Sequence, residues 1–295
     1  MTVYTLDAGN GLAARIARML KDRLIFVEKK TFPDGESYVR VPEKPEGAAI
    51  IVHSLFFPQE KRLMELMLTI DALKGVGADT VLAVIPYMAY ARQDKRFLEG
   101  EPISIKVVLK SLEAAGVDAL LTVDLHKPSV LEEWLSIPSI NVIPYREIAE
   151  YFKGKTFNPI ILAPDKGALD RAGKVAEYIG ADFDYIVKER DRVTGEVRAL
   201  PKELDVKDRD VIIVDDIIST GGTMSLAAKH SLEHGARKVY AVCTHAVMVK
   251  GALDKLLFSG VEEVIATDTV PSPVSKITVA ESVVEGVKRL FEELV

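Results

Sequence analysis

The sequence predicts an α/β protein built from two doubly wound parallel-sheet domains related by internal duplication. Short β-branched apolar runs alternate with amphipathic stretches of helical period along almost the whole chain, the pattern of parallel sheets covered on both faces. Two segments also recur in the same order. Gly77-Ala78-Asp79-Thr80-Val81-Leu82-Ala83-Val84 is echoed by Gly235-Ala236-Arg237-Lys238-Val239-Tyr240-Ala241-Val242, and Gly116-Val117-Asp118-Ala119-Leu120-Leu121-Thr122-Val123-Asp124 by Gly260-Val261-Glu262-Glu263-Val264-Ile265-Ala266-Thr267-Asp268. A length of 295 residues suits two α/β domains of ordinary size.

In chain order, strands are expected at Ala49–His53, Thr80–Ile85 and Ala119–Val123, with helices in the gaps. A boundary falls near Asn141–Tyr145, before a helix starting around Arg146, which separates 1–143 from 144–278. The second half repeats the plan with strands at Pro159–Ala163, Val211–Val214, Lys238–Thr244 and Glu262–Ala266. A helix opens near Met224, and Val279 to Leu294 reads as a closing helix.

The net charge of −6 and pI near 5.5 argue against non-specific nucleic-acid binding, so any local basic cluster is expected to serve a small anion. Cys243 is the single cysteine, sits in an apolar strand, and forms no internal disulfide. The amino terminus lacks the basic and apolar regions of a signal peptide, and no apolar run approaches the length of a membrane span. A soluble cytoplasmic protein is the expectation, with no membrane or nucleic-acid partner.

Val211 to Thr223 carries the most chemistry: a β-branched run, then Asp215 and Asp216, then Ser219-Thr220-Gly221-Gly222-Thr223 opening a helix. The glycines let the backbone turn and approach a ligand, and the hydroxyls add donors. The helix adds unpaired N–H groups and the positive end of its dipole, so a phosphate is the expected guest. The two carboxylates fit the same ligand where they face sugar hydroxyls; the alternative is an acidic pair that merely caps the helix.

Five other segments qualify. Pro86 to Arg96 packs Arg92, Lys95, Arg96 and two tyrosines into a strand-end loop, where Arg92 suits bidentate contact with phosphate oxygens and the alternative is a solvated basic loop. Thr31-Phe32-Pro33-Asp34-Gly35-Glu36 offers an aromatic face beside two carboxylates across a tight turn, or else only a surface turn. Val123-Asp124-Leu125-His126 and Ala163-Pro164-Asp165-Lys166 each end a strand with polar groups, although an imidazole is an unusual ligand for a hard cation. Tyr185 to Arg190 puts Lys188 and Arg190 on one face of a strand, as a functional pair or as edge protection.

The loop at Asp215–Thr223 resembles the phosphoribosyl diphosphate signature of type I phosphoribosyltransferases and ribose-phosphate pyrophosphokinases. Tyr90-Ala91-Arg92-Gln93-Asp94-Lys95 resembles the flexible ATP loop of the latter, and five separated motifs agree with that family in order and spacing. The resemblance implies a type I phosphoribosyltransferase-like fold in both domains: an ATP-binding domain, 1–143 completed by the helix at 279–295, and a ribose 5-phosphate-binding domain, 144–278. The implied reaction moves the β,γ-diphosphoryl group of ATP to the C1 hydroxyl of ribose 5-phosphate, giving phosphoribosyl diphosphate and AMP. Asp215, Asp216, Ser219, Thr220, Gly221, Gly222 and Thr223 would hold the sugar phosphate. Phe32, Asp34, Gly35, Glu36, Arg92 and Gln93 would hold ATP, with the Phe32 turn serving a neighbouring subunit's adenine pocket in a homodimer or larger homo-oligomer.

His126 and Asp165 would hold Mg2+, with Asp124 nearby, and Lys188 and Arg190 would be the catalytic pair. A nucleobase phosphoribosyltransferase and a non-catalytic regulatory subunit are the alternatives. Two departures stand out: Ser219 replaces an aspartate found in many family members, and Arg96 to Glu101 is less basic than in many relatives. Both leave regulatory contacts open.

Overall fold

The computed structural model describes residues 1–7, 11–190, 197–199 and 205–294, without the side chains of 188–190 and 197–199. It divides into two compact units, Met1–Ile143 with Val279–Val295, and Pro144–Thr278.

In the first unit, β1 (Thr2–Thr5), β2 (Arg23–Phe26), β3 (Glu28–Thr31), β4 (Ser37–Arg40), β5 (Ala49–Val52), β6 (Val81–Ile85), β7 (Ala119–Val123) and β8 (Ser139–Val142) are the strands. Six of them form a parallel sheet in the order β2-β1-β5-β6-β7-β8, and β3 with β4 is a separate antiparallel hairpin. Alternation along each strand sends neighbours to opposite faces. Tyr4, Ile51, Ala83 and Leu120 meet α2 (Gln59–Gly75) and α3 (Ser104–Ala114), whereas Val3, Ile50, Leu82 and Leu121 meet α1 (Leu12–Leu20) and the closing helix Ala280–Leu294. Both faces are therefore dry, which is why the strands read as continuous apolar runs.

The closing helix approaches the sheet closely at Gly286. A Cβ there would lie 2.7 Å from Leu121 Cδ1 and 2.9 Å from Val142 Cγ1, distances that require something to move. A glycine is what lets the C-terminal segment seat on the first unit.

The second unit repeats the topology. Its strands are β9 (Ile160–Ala163), β10 (Asp182–Tyr185), β11 (Lys188–Arg190), β12 (Val197–Ala199), β13 (Asp210–Ile218), β14 (Lys238–Ala246), β15 (Glu263–Thr267) and β16 (Ser275–Ile277). The parallel sheet runs β10-β9-β13-β14-β15-β16, and β11 with β12 is again an antiparallel hairpin following the second strand. In sequence order α4 (Val130–Trp134) belongs to the first unit, where it packs on α3 and β8, and around the second sheet lie α5 (Tyr145–Phe152), α6 (Leu169–Ile179), α7 (Gly222–Glu233) and α8 (Ala252–Phe258). In this unit α5 and α6 cover one face and α7 and α8 the other. The echoed segments fall on equivalent strands, since β6 and β14 are fourth in their sheets and β7 and β15 fifth. That correspondence gives the duplication a structural basis.

Two expectations need correction. β13 does not stop at Val214 but continues through both carboxylates to Ile218, because β14 beside it extends to Ala246 and pairs with Ile217 and Ile218. Backbone pairing outweighs the charge of Asp215 and Asp216. Nor is Tyr185 to Arg190 one strand: β10 ends at Tyr185 and β11, which begins at Lys188, pairs with β12 in a separate antiparallel sheet. The β3–β4 hairpin has no strand signal in the sequence because β3 is exposed throughout and shows no apolar alternation.

Candidate active site

The phosphate loop lies where β13 feeds α7, at the carboxyl edge of the second sheet, the usual ligand edge of such folds. Gly221 is the N-cap of α7 at φ 71°, with no side-chain cap, and the N–H of Ser225 closes the first turn on Gly221 O at 2.9 Å. The amides of Gly222, Thr223 and Met224 precede that closure and have no carbonyl within the helix to meet. Among the described residues, the hydroxyls of Ser219, Thr220 and Thr223 make no side-chain hydrogen bond, and Thr220, Gly222 and Thr223 are exposed. Open amides, free hydroxyls and a helix N-terminus together make an anion cradle.

Backbone bonds from Val249 N to Ser219 O and from Met248 N to Ile218 O, both 3.0 Å, pin the loop from behind. A Cβ on Gly221 would sit 3.1 Å from Ala252 O. The tight turn and close approach expected of that glycine are both present.

Asp215 and Asp216 precede the cradle toward the end of β13, and Asp165 stands two residues past the end of the neighbouring strand β9. Burial first, then the charges of Asp216 and Asp165, push the Asp215 carboxyl up to about 8, against the opposing pull of Arg171 on α6. Asp165 Oδ1 caps the short turn that follows by accepting from Gly167 N at 2.9 Å. The structure thus gathers three carboxylates and one arginine at one strand edge. Arg171 was not anticipated; nothing local distinguishes it from any other charge on an amphipathic helix.

In the first unit, the loop after β6 is anchored by buried Met88, Ala89 and Ala91 while Arg92 is exposed. Among the described residues Arg92 has no ion-pair partner, so its guanidinium is available to a ligand. Gln93 is less free: its amide donates to Glu101 Oε2 at 3.3 Å. Glu101 also accepts from the amides of Phe97 and Leu98 at 2.8 and 3.0 Å, and these contacts hold the carboxyl below its ordinary value. It organises the rest of the loop.

His126 is exposed on the turn after β7, two residues beyond Asp124, which is buried with φ 47°. Asn141 on β8 sets that turn by accepting from Leu125 N at 2.8 Å and Thr122 Oγ1 at 3.0 Å. Lys127 reaches Asp94 at 3.4 Å, which brings the His126 turn against the Arg92 loop. Neither contact was legible beforehand, because each joins segments far apart in sequence.

Phe32 to Glu36 forms the tip of the β3–β4 hairpin, and all five residues are exposed. Gly35 N donates to Phe32 O at 2.9 Å, and Asp34 Oδ1 accepts from Glu36 N at 3.2 Å, closing the turn. The Phe32 ring packs edge-on against Tyr38 with Lys30 over both. Lys188 and Arg190 lie on β11; their side chains lie outside the described residues. Among the described residues, no group of three or more acidic, histidine or cysteine side chains forms a ready metal cage.

Residues 1–116 match the family model for the N-terminal domain of ribose phosphate pyrophosphokinase, and residues 142–275 match the phosphoribosyl transferase domain. The chain belongs to the ribose-phosphate pyrophosphokinase family. The ribose-phosphate pyrophosphokinase of Methanopyrus kandleri is 43% identical over 98% of this chain and 99% of its own, and that of Sulfurisphaera tokodaii 45% identical over 95% and 97%. A solved phosphoribosylpyrophosphate synthetase from Mycobacterium smegmatis superposes with a TM-score of 0.86 at 30% identity, covering 99% of both chains. A nucleobase phosphoribosyltransferase explains only the second half of this pattern, and a regulatory subunit is not what the relatives are named. The pyrophosphokinase reading displaces both. Among the described residues no helix is long and apolar enough to cross a membrane.

Proposed function

We propose that this enzyme transfers the β,γ-diphosphoryl group of ATP to the C1 hydroxyl of ribose 5-phosphate, releasing AMP and phosphoribosyl diphosphate. The observation that carries the reading is the uncapped start of α7 beside Asp215 and Asp216, which offers amides to a phosphate and carboxylates to a sugar at one strand edge. Ser219 to Thr223 hold the 5-phosphate, and Asp215 and Asp216 accept from the ribose hydroxyls. Arg92 grips the ATP phosphates, with Gln93 beside it. Phe32 stacks on adenine, with Asp34, Gly35 and Glu36 around the exocyclic amine, in a pocket completed between subunits of a homo-oligomer. The complete exposure of that turn supports this role.

Asp165 and His126 are the residues that would hold Mg2+. Burial first, and then the charges of Asp216 and Asp165, raise the Asp215 carboxyl, and a cation held at Asp165 would relieve the charge part of that effect; Mg2+ takes few protein ligands. When bound, the ion neutralises the ATP phosphates. Lys188 and Arg190 stabilise the charge that spreads over the transferred group, so positioning and electrostatics dominate. The reaction is placed in the cytoplasm. Incubating the chain with Mg2+, ATP and ribose 5-phosphate tests the reading: AMP is the expected product, and ADP would mark an ordinary kinase.

A further inference from the structure

The first turn of α2 addresses two segments of the nucleotide side at once. Glu60 Oε1 accepts from the Tyr90 hydroxyl at 2.7 Å, tying down the loop two residues before Arg92. Lys61 Nζ donates to Thr31 Oγ1 at 2.6 Å, at the last residue of β3 before the Phe32 turn. The next residue, Arg62, seats the helix start. It is buried, lies 3.8 Å from the Phe56 ring centroid, donates through Nε to Ser54 O at 2.5 Å and pairs with Asp7. A backbone bond from Leu55 N to Tyr87 O, 2.8 Å, joins the same strand end to the root of the Arg92 loop.

Successive residues of a helical turn project in different directions, so one stiff element can hold several segments. α2 is stiff because Leu66, Ile70 and Leu73 are fully buried in the core. Tyr90 adopts φ 64°, a left-handed conformation that persists in a non-glycine residue only where surroundings hold it. Its ring is exposed and so is Glu60, which means that their bond contributes little to core packing.

We infer that Glu60 and Lys61 are positioning residues of the nucleotide site: Glu60 latches Tyr90 and so fixes Arg92 and Gln93, while Lys61 fixes the Phe32 turn to the same helix. The inference rests on reading the Arg92 loop and the Phe32 turn as the ATP-binding segments.

The test measures binding of Mg·ATP without ribose 5-phosphate by calorimetry, alongside steady-state AMP formation. Tyr90→Phe and Glu60→Ala each weaken ATP binding and raise its KM by about three- to tenfold, as expected for one lost solvent-exposed hydrogen bond. The KM for ribose 5-phosphate and the melting temperature stay at parental values. The double variant is no weaker than either single, and Glu60→Gln, which keeps the acceptor, recovers most of the affinity. Lys61→Met raises the ATP KM in the same way. ATP affinities equal to the parent's, fold-losses that multiply in the double variant, or a joint rise of both KM values with a fall in melting temperature would each overturn the inference. A parent chain that makes no AMP would instead sink the assigned reaction, and the binding arm, which needs no turnover, still decides the latch.

Discussion

Asp215 Oδ1 accepts the main-chain N–H of Asp216 at 3.0 Å, so the first acid of the pair is held against the backbone of the second at the mouth of the phosphate loop. Burial, with the charge of Asp216, raises its pKa from an ordinary 3.8 to about 8. The folded chain therefore holds a proton that the unfolded chain releases across that interval. By linkage, this contribution to stability is complete below pH 3.8 and is lost as pH rises through about 8. In ligand-free protein, the urea midpoint of the parent should fall relative to that of Asp215→Asn as pH rises from about 6 to about 9. A midpoint difference that does not change with pH would show that Asp215 is already ionised.

Gly221 and Gly222 are adjacent yet should respond oppositely to alanine. At Gly221 the left-handed backbone and the 3.1 Å approach to Ala252 O make Gly221→Ala destabilising by about 1–3 kcal/mol. At Gly222 only Thr220 Oγ1 lies within reach, at 3.9 Å, and the residue is already helical, so Gly222→Ala should leave the melting temperature level or raise it. It nevertheless places a methyl on the cradle and should raise the KM for ribose 5-phosphate. Thermal unfolding and substrate saturation separate the two effects; a Gly222→Ala enzyme with parental saturation would remove that amide from the site.

What could be read in advance follows from how local each signal is. Val81–Ile85 and Val211–Val214 announce buried parallel strands because both faces of each sheet are dry, and the phosphate loop announces itself because its amides, hydroxyls and acids are contiguous. β3 could not be read, since Glu28-Lys29-Lys30-Thr31 is exposed and meets α2 through polar contacts, Lys29 with Glu65 and Thr31 with Lys61, rather than through an apolar face. Asn141 and Arg171 were missed for another reason. Each acts on a segment that tertiary folding, not sequence neighbourhood, brings to it, as Asn141 does for Leu125 across β7 and β8. The run of Asp210–Ile218 past two carboxylates belongs with these, because the partner strand sets its length.

Arg92 is exposed and unpaired among the described residues, so its replacement should cost the fold little. Arg92→Ala should raise the KM for ATP by about tenfold or more, the scale of a charge-assisted contact with phosphate. Arg92→Lys should recover only part of the loss, because an ammonium cannot reproduce a two-pronged contact. Full recovery by lysine would indicate that only net charge matters there, and an unchanged KM in both variants would take Arg92 out of the nucleotide site.

Lys188 follows β10 on the strand β11, two residues before Arg190, in the hairpin inserted after the second strand of its sheet. A cation that meets the transferred group mainly as charge builds there contributes to the transition state more than to bound ATP. Lys188→Ala should therefore lower kcat by orders of magnitude while direct binding of Mg·ATP and of ribose 5-phosphate stays near parental values. Arg190→Ala should act in the same sense. If both serve one transferring group, the double variant should lose less than the product of the single losses, because residues that act as a unit are not additive. Parallel losses of binding and turnover would assign Lys188 to substrate capture, and a kcat unaffected by its removal would place the charge-stabilising group elsewhere in the chain.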